Sequence, residues 1–258
     1  MKVAVIQFNA TSNKQDNITK AVDFVRQAAH QKAEFILLPE VFVFRGKRES
    51  EVLESIPGES LKPVMDLAQR HKIFILAGSI YERCPKEKNK AYNTSVLIDS
   101  RGKIQAKYRK IHLFDAVIDN KKICESAQFL AGRRRVLTHV KGFGVGLSIC
   151  YDLRFSQMYK KYTELGAEIL CVPSAFTRQT GRVHWEILLR ARAIENTCYV
   201  LAPNQVGQDG RGVYSYGHSM IIDPWGEILA EASAEQEEII FAKLDKKLVK
   251  KMRLMIGR

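Results

Sequence analysis

The chain has 258 residues, 46% apolar and 27% charged, which excludes a disordered or collagenous protein and leaves enough length to bury a sizeable core without disulfide staples. Its 41 Lys and Arg against 28 Asp and Glu give a formal charge of +13. These cations are scattered, densest at Arg133-Arg134-Arg135 and from Lys246 to Arg258, with no interleaved aromatics, so they read as a solvated face and argue against a nucleic-acid partner.

Strand-like and helical runs alternate along the chain, the pattern of an α/β layer structure. Lys2 to Phe8 predicts a strand and Asn17 to Lys32 an amphipathic helix. Phe35-Ile36-Leu37-Leu38 is a buried strand stopped by Pro39. Leu61 to His71 reads as a helix, and Ile73 to Ile80 and Thr94 to Asp99 as strands; the turn Asp99-Ser100-Arg101-Gly102 leads into Lys103 to Tyr108. Gly144 to Ile149 is an apolar strand ending at Cys150, and Ile169 to Val172 is another that stops at Pro173. His184 to Asn196 has helical periodicity, Tyr199 to Leu201 is a strand, and His218 to Asp223 and Glu238 to Lys243 close the series. No linker or repeat interrupts it, so residues 1–258 read as a single domain.

The N-terminal apolar run is too short for a signal-peptide core, and no stretch approaches the ~20 apolar residues of a membrane span. The expectation is a cytoplasmic protein with no membrane partner. Cysteines 84, 124, 150, 171 and 198 are odd in number and form no Cys-x-x-Cys pair, which predicts reduced thiols and no metal.

Glu40, Cys150 and Ser174 each lie just beyond an apolar strand, at the edge where open α/β sheets bind ligands. Alone, Glu40 reads equally as a surface carboxylate, and Cys150 more readily as a buried structural thiol. The context of Cys150 changes that balance. A strand that ends in a nucleophile and turns sharply presents the side chain at an elbow, with the next backbone N–H, here that of Tyr151, available to an oxyanion. Gly142, Gly144 and Gly146 precede the strand and do not join it to a helix, so a dinucleotide loop is rejected.

Leu37-Leu38-Pro39-Glu40, Arg109-Lys110-Ile111-His112-Leu113-Phe114-Asp115 and Ser148-Ile149-Cys150-Tyr151-Asp152-Leu153-Arg154-Phe155 follow in that order. Together they resemble the three signature segments of the nitrilase, or carbon–nitrogen hydrolase, superfamily. Pro173-Ser174-Ala175-Phe176, Arg190-Ala191-Arg192-Ala193-Ile194-Glu195-Asn196 and Asp223-Pro224-Trp225-Gly226 extend the resemblance to about Lys243. The segments are most similar to the Nit branch, which holds ω-amidases and deaminated-glutathione amidases.

The resemblance implies a four-layer α-β-β-α sandwich with two mixed sheets. It also implies hydrolysis of the terminal carboxamide of a small carboxylate-bearing compound through a thioester, with release of ammonia and no metal or organic cofactor. Cys150 would be the nucleophile, Glu40 the general acid and base, and Lys110 the oxyanion partner together with the N–H of Tyr151. Glu125 matches a second family glutamate that orients Lys110 or the substrate. Arg154 and Arg178 are candidate carboxylate partners, Arg154 being open to a structural role, and Ser174 completes the candidate lining. His112, His184 and His218 read as structural hydrogen-bonding residues. An N-carbamoyl amidohydrolase, a nitrilase or a non-catalytic binding protein on the same fold stand as alternatives. The family habit also implies a homodimer or higher homo-oligomer packed through outer helices. Two departures from the pattern are Ser156-Gln157 after Arg154-Phe155 and a short tail ending at Arg258.

Overall fold

The computed structural model describes residues 1–47, 49–87, 90–118 and 121–257, the side chains of Ile118, Lys121 and Lys122 excepted; Arg258, the end of the basic tail, lies outside the described residues. In chain order the first half contains β1 (Lys2–Gln7), α1 (Lys14–His30), β2 (Phe35–Leu37), α2 (Lys62–His71), β3 (Phe74–Leu76), β4 (Ile80–Arg83), β5 (Ala91–Ile98), β6 (Ile104–Arg109), β7 (Asp115–Ile118) and β8 (Lys121–Cys124). The second half contains β9 (Val136–Val140), β10 (Phe143–Leu147), α3 (Ser156–Glu164), β11 (Ile169–Cys171), α4 (Arg178–Asn196), β12 (Tyr199–Ala202), β13 (Val206–Gln208), β14 (Tyr214–Tyr216), β15 (Met220–Ile222), β16 (Ile228–Glu231), β17 (Glu238–Lys243) and α5 (Lys246–Met255).

Two mixed sheets result. In the first, β17, β1, β2 and β3 are successive neighbours, β3 and β4 share one edge of the long β5, and β6 pairs along its other edge. The second runs β16-β15-β12-β11-β10-β9, with β10, β11 and β12 parallel.

Side-chain alternation stacks these sheets. Val3, Val5, Phe35, Leu37, Leu76 and Leu97 share one apolar cluster with Val145, Leu147, Ile169, Cys171 and Leu201 of the second sheet. Their sequence neighbours Ala4, Ile6, Ile36, Ile75, Val96 and Ile98 pack instead with Ile18, Ala21 and Val25 of α1 and Val64 and Leu67 of α2. Helices α3 and α4 cover the second sheet with Tyr159, Tyr162, Trp185 and Leu189. The layers are therefore α-β-β-α, as the resemblance implies. Gly146 explains one of the glycines in β10. A Cβ there would stand 2.8 Å from the Tyr162 ring, so its absence lets α3 close on the sheet.

Some elements differ from the sequence-based expectation. The run Ile73 to Ile80 divides into β3 and β4 because Gly78, at φ +27°, turns the chain against the Pro39 carbonyl. Helix α4 begins six residues before His184, since Thr177 caps it by accepting from Thr180 N at 3.5 Å. The two-stranded hairpins β7–β8 and β13–β14, too short and polar to show periodicity, flank the mouth of the site described next.

Candidate active site

Glu40 stands three residues beyond β2, buried at 4% exposure. A buried carboxylate needs partners, and it has them. Oε1 accepts from Asn93 Nδ2 at 2.8 Å and Lys110 Nζ at 3.1 Å, and Oε2 from the Ala175 backbone N–H at 2.8 Å. The loop that carries it is pinned on both sides: Gln205 Nε2 donates to the Glu40 carbonyl at 2.9 Å, and Val41, at φ +50°, donates its N–H to Ser79 Oγ at 2.9 Å. Burial alone would raise the Glu40 pKa. The Lys110 charge and hydrogen bonds from Cys150 and Lys110 overcome it, and the carboxyl is held below its ordinary 4.5.

Lys110 follows β6, where its N–H donates to the Asn93 carbonyl at 2.9 Å. Its ammonium, also buried, touches two carboxylates, Glu40 at 3.1 Å and Glu125 Oε2 at 2.9 Å. Desolvation works against the charge, but Glu125 and Glu40 dominate and raise the Lys110 pKa well above 10.5. Glu125 Oε2 also accepts the Phe114 N–H at 2.6 Å, which closes the turn carrying β7 and β8 over the lysine.

Cys150 opens a 3-10 turn, Cys150–Arg154, three residues beyond β10. Its φ of +45° is unusual for a residue with a side chain, and backbone of this kind costs of order 1–3 kcal/mol. The conformation is held by the Cys150 N–H on the Pro173 carbonyl at 3.0 Å and by Asp152, whose Oδ2 accepts the Ile149 N–H at 2.9 Å. Tyr151 occupies the first turn of that helix, where backbone N–H groups lack intrahelical partners. Burial first, then the Glu40 charge, pushes the Cys150 thiol pKa up, with Lys110 acting in the opposite sense. The resting triad is thus carboxylate, thiol and ammonium.

These side chains line one cavity of about 460 Å³ together with Glu125, Phe114, Tyr151, Arg154, Phe176, Thr177 and Thr180. The structure brings together six of the eight residues singled out in the sequence: Glu40, Lys110, Glu125, Cys150, Tyr151 and Arg154. Ser174 and Arg178 fall outside the lining. The Ser174 hydroxyl turns back to donate to the Val172 carbonyl at 3.0 Å, and Arg178 projects to solvent with Glu235 3.8 Å away. The three histidines are hydrogen-bonded to other side chains: His112 Nδ1 to Asp152 at 2.7 Å, His184 Nδ1 to Arg154 Nη2 at 3.2 Å, and His218 Nδ1 to Glu231 at 2.6 Å. Sequence reading missed Asn93, the direct partner of Glu40, and Arg45, Lys47, Glu49 and Arg211, which line the same cavity. The available signal at Asn93 was a run of polar residues, Asn93-Thr94-Ser95, all buried inside an apolar strand.

Comparison with known proteins adds to this geometry. A model of the carbon–nitrogen hydrolase family matches residues 2–254. The chain is 43% identical to a deaminated glutathione amidase of Synechocystis, covering 97% of this chain and 93% of that protein. It is 37% identical to the omega-amidase NIT2 of Homo sapiens, covering 99% and 92% respectively. The crystal structure of the C. elegans NitFhit protein superposes with a TM-score of 0.93 at 35% identity over 99% of this chain, which spans 63% of that protein's length.

Proposed function

The chain belongs to the carbon–nitrogen hydrolase family, and from that premise we propose how its site works and what it acts on. It is an amidase, a hydrolase of carbon–nitrogen bonds other than peptide bonds. The observation that carries the proposal is the meeting of Glu40, Lys110 and Cys150, distant in the chain, within one buried ionic cluster.

An amide is a poor electrophile with a poor leaving group, and a covalent route divides its hydrolysis into two easier steps. Cys150 Sγ attacks the carbonyl carbon while Glu40 takes the thiol proton. The oxyanion is stabilised by Lys110 and by the N–H of Tyr151, a donor pair of the kind whose single members are worth roughly 3–4 kcal/mol. Glu40 then passes its proton to the departing nitrogen, and the C–N bond breaks to leave a thioester on Cys150. In the second half Glu40 activates water, which cleaves the thioester. Glu125 holds Lys110 in place through its carboxylate.

The substrate we propose is the amide of a small carboxylate-bearing acid, of the deaminated-glutathione or α-keto-ω-amide type, the latter releasing ammonia. Two observations support it: the names of the relatives, and Arg154 in the lining, where a guanidinium can hold a carboxylate. Mass spectrometry of enzyme quenched during turnover tests the scheme. An acyl adduct on Cys150 is expected, and its mass reads out the substrate; turnover with no adduct, or inactivity on every amide of a panel containing deaminated glutathione and 2-oxoglutaramate, rejects it.

We also propose a cytoplasmic homodimer. Among the described residues no helix is long and apolar enough to cross a membrane, and all five cysteines are free thiols. The outer face of α4 exposes Val183, Ile187 and Ile194, at spacings that lie along one side of the helix. Trp225 of the β15–β16 turn is also exposed, and its neighbour Gly226 is tied to α4 by Arg190 Nε at 3.0 Å. A second copy of the chain is the occupant proposed for this face.

A further inference from the structure

The catalytic cavity occupies one end of the molecule, where Glu40 and Cys150 lie beyond the carboxyl ends of β2 and β10. The opposite end gathers cations that are scattered in the sequence. Lys2 opens β1, and Lys32, Lys72, Lys103 and Lys141 stand one to three residues before β2, β3, β6 and β10. Strands β1, β2 and β3 are parallel neighbours, and β6, antiparallel to β5 as β3 is, runs the same way. Lys141 Nζ lies 2.9 Å from Glu34 Oε1 and ties the start of β10 to that of β2, so both sheets begin on this side.

Helix α5 lies across these strand starts. Lys246 donates to the Gly142 carbonyl and pairs with Glu168 at 3.1 Å, Arg253 donates to the Ala167 carbonyl, and Val249 and Met252 are buried. Packing through Val249 and Met252 turns the other side of the helix outward. Lys247, Lys250, Lys251 and Leu254 share that outer side, at i, i+3, i+4 and i+7, and α5 contains no acidic residue.

The face carries surplus positive charge. Glu34, Asp99 and Glu168 are each paired with a cation, and Asp245 caps α5 by accepting the Lys247 N–H at 2.9 Å. Lys32, Lys72, Lys103, Lys247, Lys250 and Lys251 are exposed and have no ion-pair partner among the described residues. A broad field of one sign attracts a polyanion. The tip of α5 selects which one. Leu254, Met255 and Ile256 are 69%, 59% and 45% exposed beside these lysines. Apolar side chains gain little from a nucleic-acid backbone, which binds cations by releasing counterions. At a lipid surface they pass below the headgroups while lysines hold the anionic phosphates.

We propose that this face, centred on α5, docks the protein on an anionic phospholipid bilayer and leaves the catalytic cavity open on the far side. The sequence-based expectation of no membrane partner rested on the lack of a spanning run, and a peripheral contact needs none.

Cosedimentation with vesicles of phosphatidylcholine containing about one quarter phosphatidylglycerol tests this, against vesicles of phosphatidylcholine alone. The wild type should bind the anionic vesicles at about 0.1 M salt, ignore the neutral ones and come off at about 0.5 M. A lysine near an anionic surface is worth about fivefold in affinity, so the triple variant Lys247→Gln, Lys250→Gln, Lys251→Gln should bind about 100-fold more weakly. Its melting temperature should stay that of the wild type, since all three side chains are exposed. The double variant Leu254→Gln, Met255→Gln should also bind the vesicles more weakly. A wild type that ignores anionic vesicles overturns the proposal, as does binding that the triple variant retains. Duplex DNA bound as tightly as the vesicles, and indifferent to the double variant, would make the face a nucleic-acid site instead. A wild-type dimer that the double variant splits would make the tip of α5 a subunit interface.

Discussion

The Lys110 ammonium lies 3.1 Å from the buried Glu40 carboxylate and 2.9 Å from that of the part-exposed Glu125, so one buried cation answers two anions. Breaking a buried pair from one side leaves an uncompensated charge, at a cost of about 3–5 kcal/mol. Lys110→Met should therefore lose stability as well as activity. The pH dependence of the deficit identifies its cause. Without the ammonium, burial dominates and the Glu40 carboxyl binds a proton more tightly folded than unfolded, so the variant regains stability as pH falls. In the wild type the depressed Glu40 contributes stability that is present above its unfolded pKa and is lost as pH falls through the folded one. Urea unfolding at pH about 7.5 and about 5.5 should show the gap between the two proteins narrowing at the lower pH. A gap that stays constant would assign the loss to packing.

The protonation states make a prediction for activity. The competent form holds Glu40 ionised, the Cys150 thiol protonated and Lys110 charged, with the first pKa displaced downward and the other two upward. No group of the triad then titrates near neutrality, and kcat/KM should be flat between about pH 5.5 and 9. A basic-side rise centred near ~8.5, the mark of an ordinary thiol, would show a thiolate nucleophile formed before substrate binds.

Cys150→Ala should abolish turnover and leave the fold intact, because the side chain removed is small and its backbone is held by Pro173 and Asp152. Residual ammonia or amine release should fall by at least about 10³-fold. Near-normal turnover by this variant would remove Cys150 from the mechanism.

How much of this site the sequence revealed depended on where each residue's signal lay. Glu40 and Cys150 were legible because each ends an apolar strand, and the structure lays those strands in the two facing sheets. Ser174 occupies the same kind of position after β11, yet its hydroxyl bonds back to the Val172 carbonyl just past the strand, since a strand's end fixes the backbone and leaves the side chain to local partners. Arg178 is a candidate carboxylate partner in the sequence, whereas the Thr177 cap draws it into the first turn of α4 and out to solvent. Arg45, Arg211 and Asp209 carried no local pattern. They meet across more than 160 residues of chain, a relation that periodicity over a short window does not register.

Asp152 joins the lysine segment to the cysteine elbow. It is fully buried and accepts from Tyr108 Oη at 2.6 Å, the His112 N–H at 3.0 Å and the Ile149 N–H at 2.9 Å. Asp152→Asn replaces an acceptor by a donor toward at least one of these groups, and hydrogen bonds to a charged acceptor are worth about 1.5–3 kcal/mol. The variant should melt several degrees lower and lose kcat more than KM, because the elbow and Lys110 lose their shared support while Arg154 and the cavity wall persist. An unchanged kcat with a lowered melting point would confine Asp152 to folding.

The exposed face of α4 yields the last prediction. Val183, Ile187 and Ile194 are 61%, 68% and 51% exposed on one side of the helix, and Trp225 is 52% exposed in the turn beside Ile194. An apolar stripe of this kind on an outer helix favours association, and a stable dimer would need roughly 800 Å² from each partner. Ile187→Lys puts a charge at the middle of the stripe without touching the core below, where Trp185 and Leu189 point. Sedimentation velocity should find the wild type as a dimer and the variant as a monomer at micromolar concentration. A monomeric wild type, or a variant that still dimerises, would move the interface off this face.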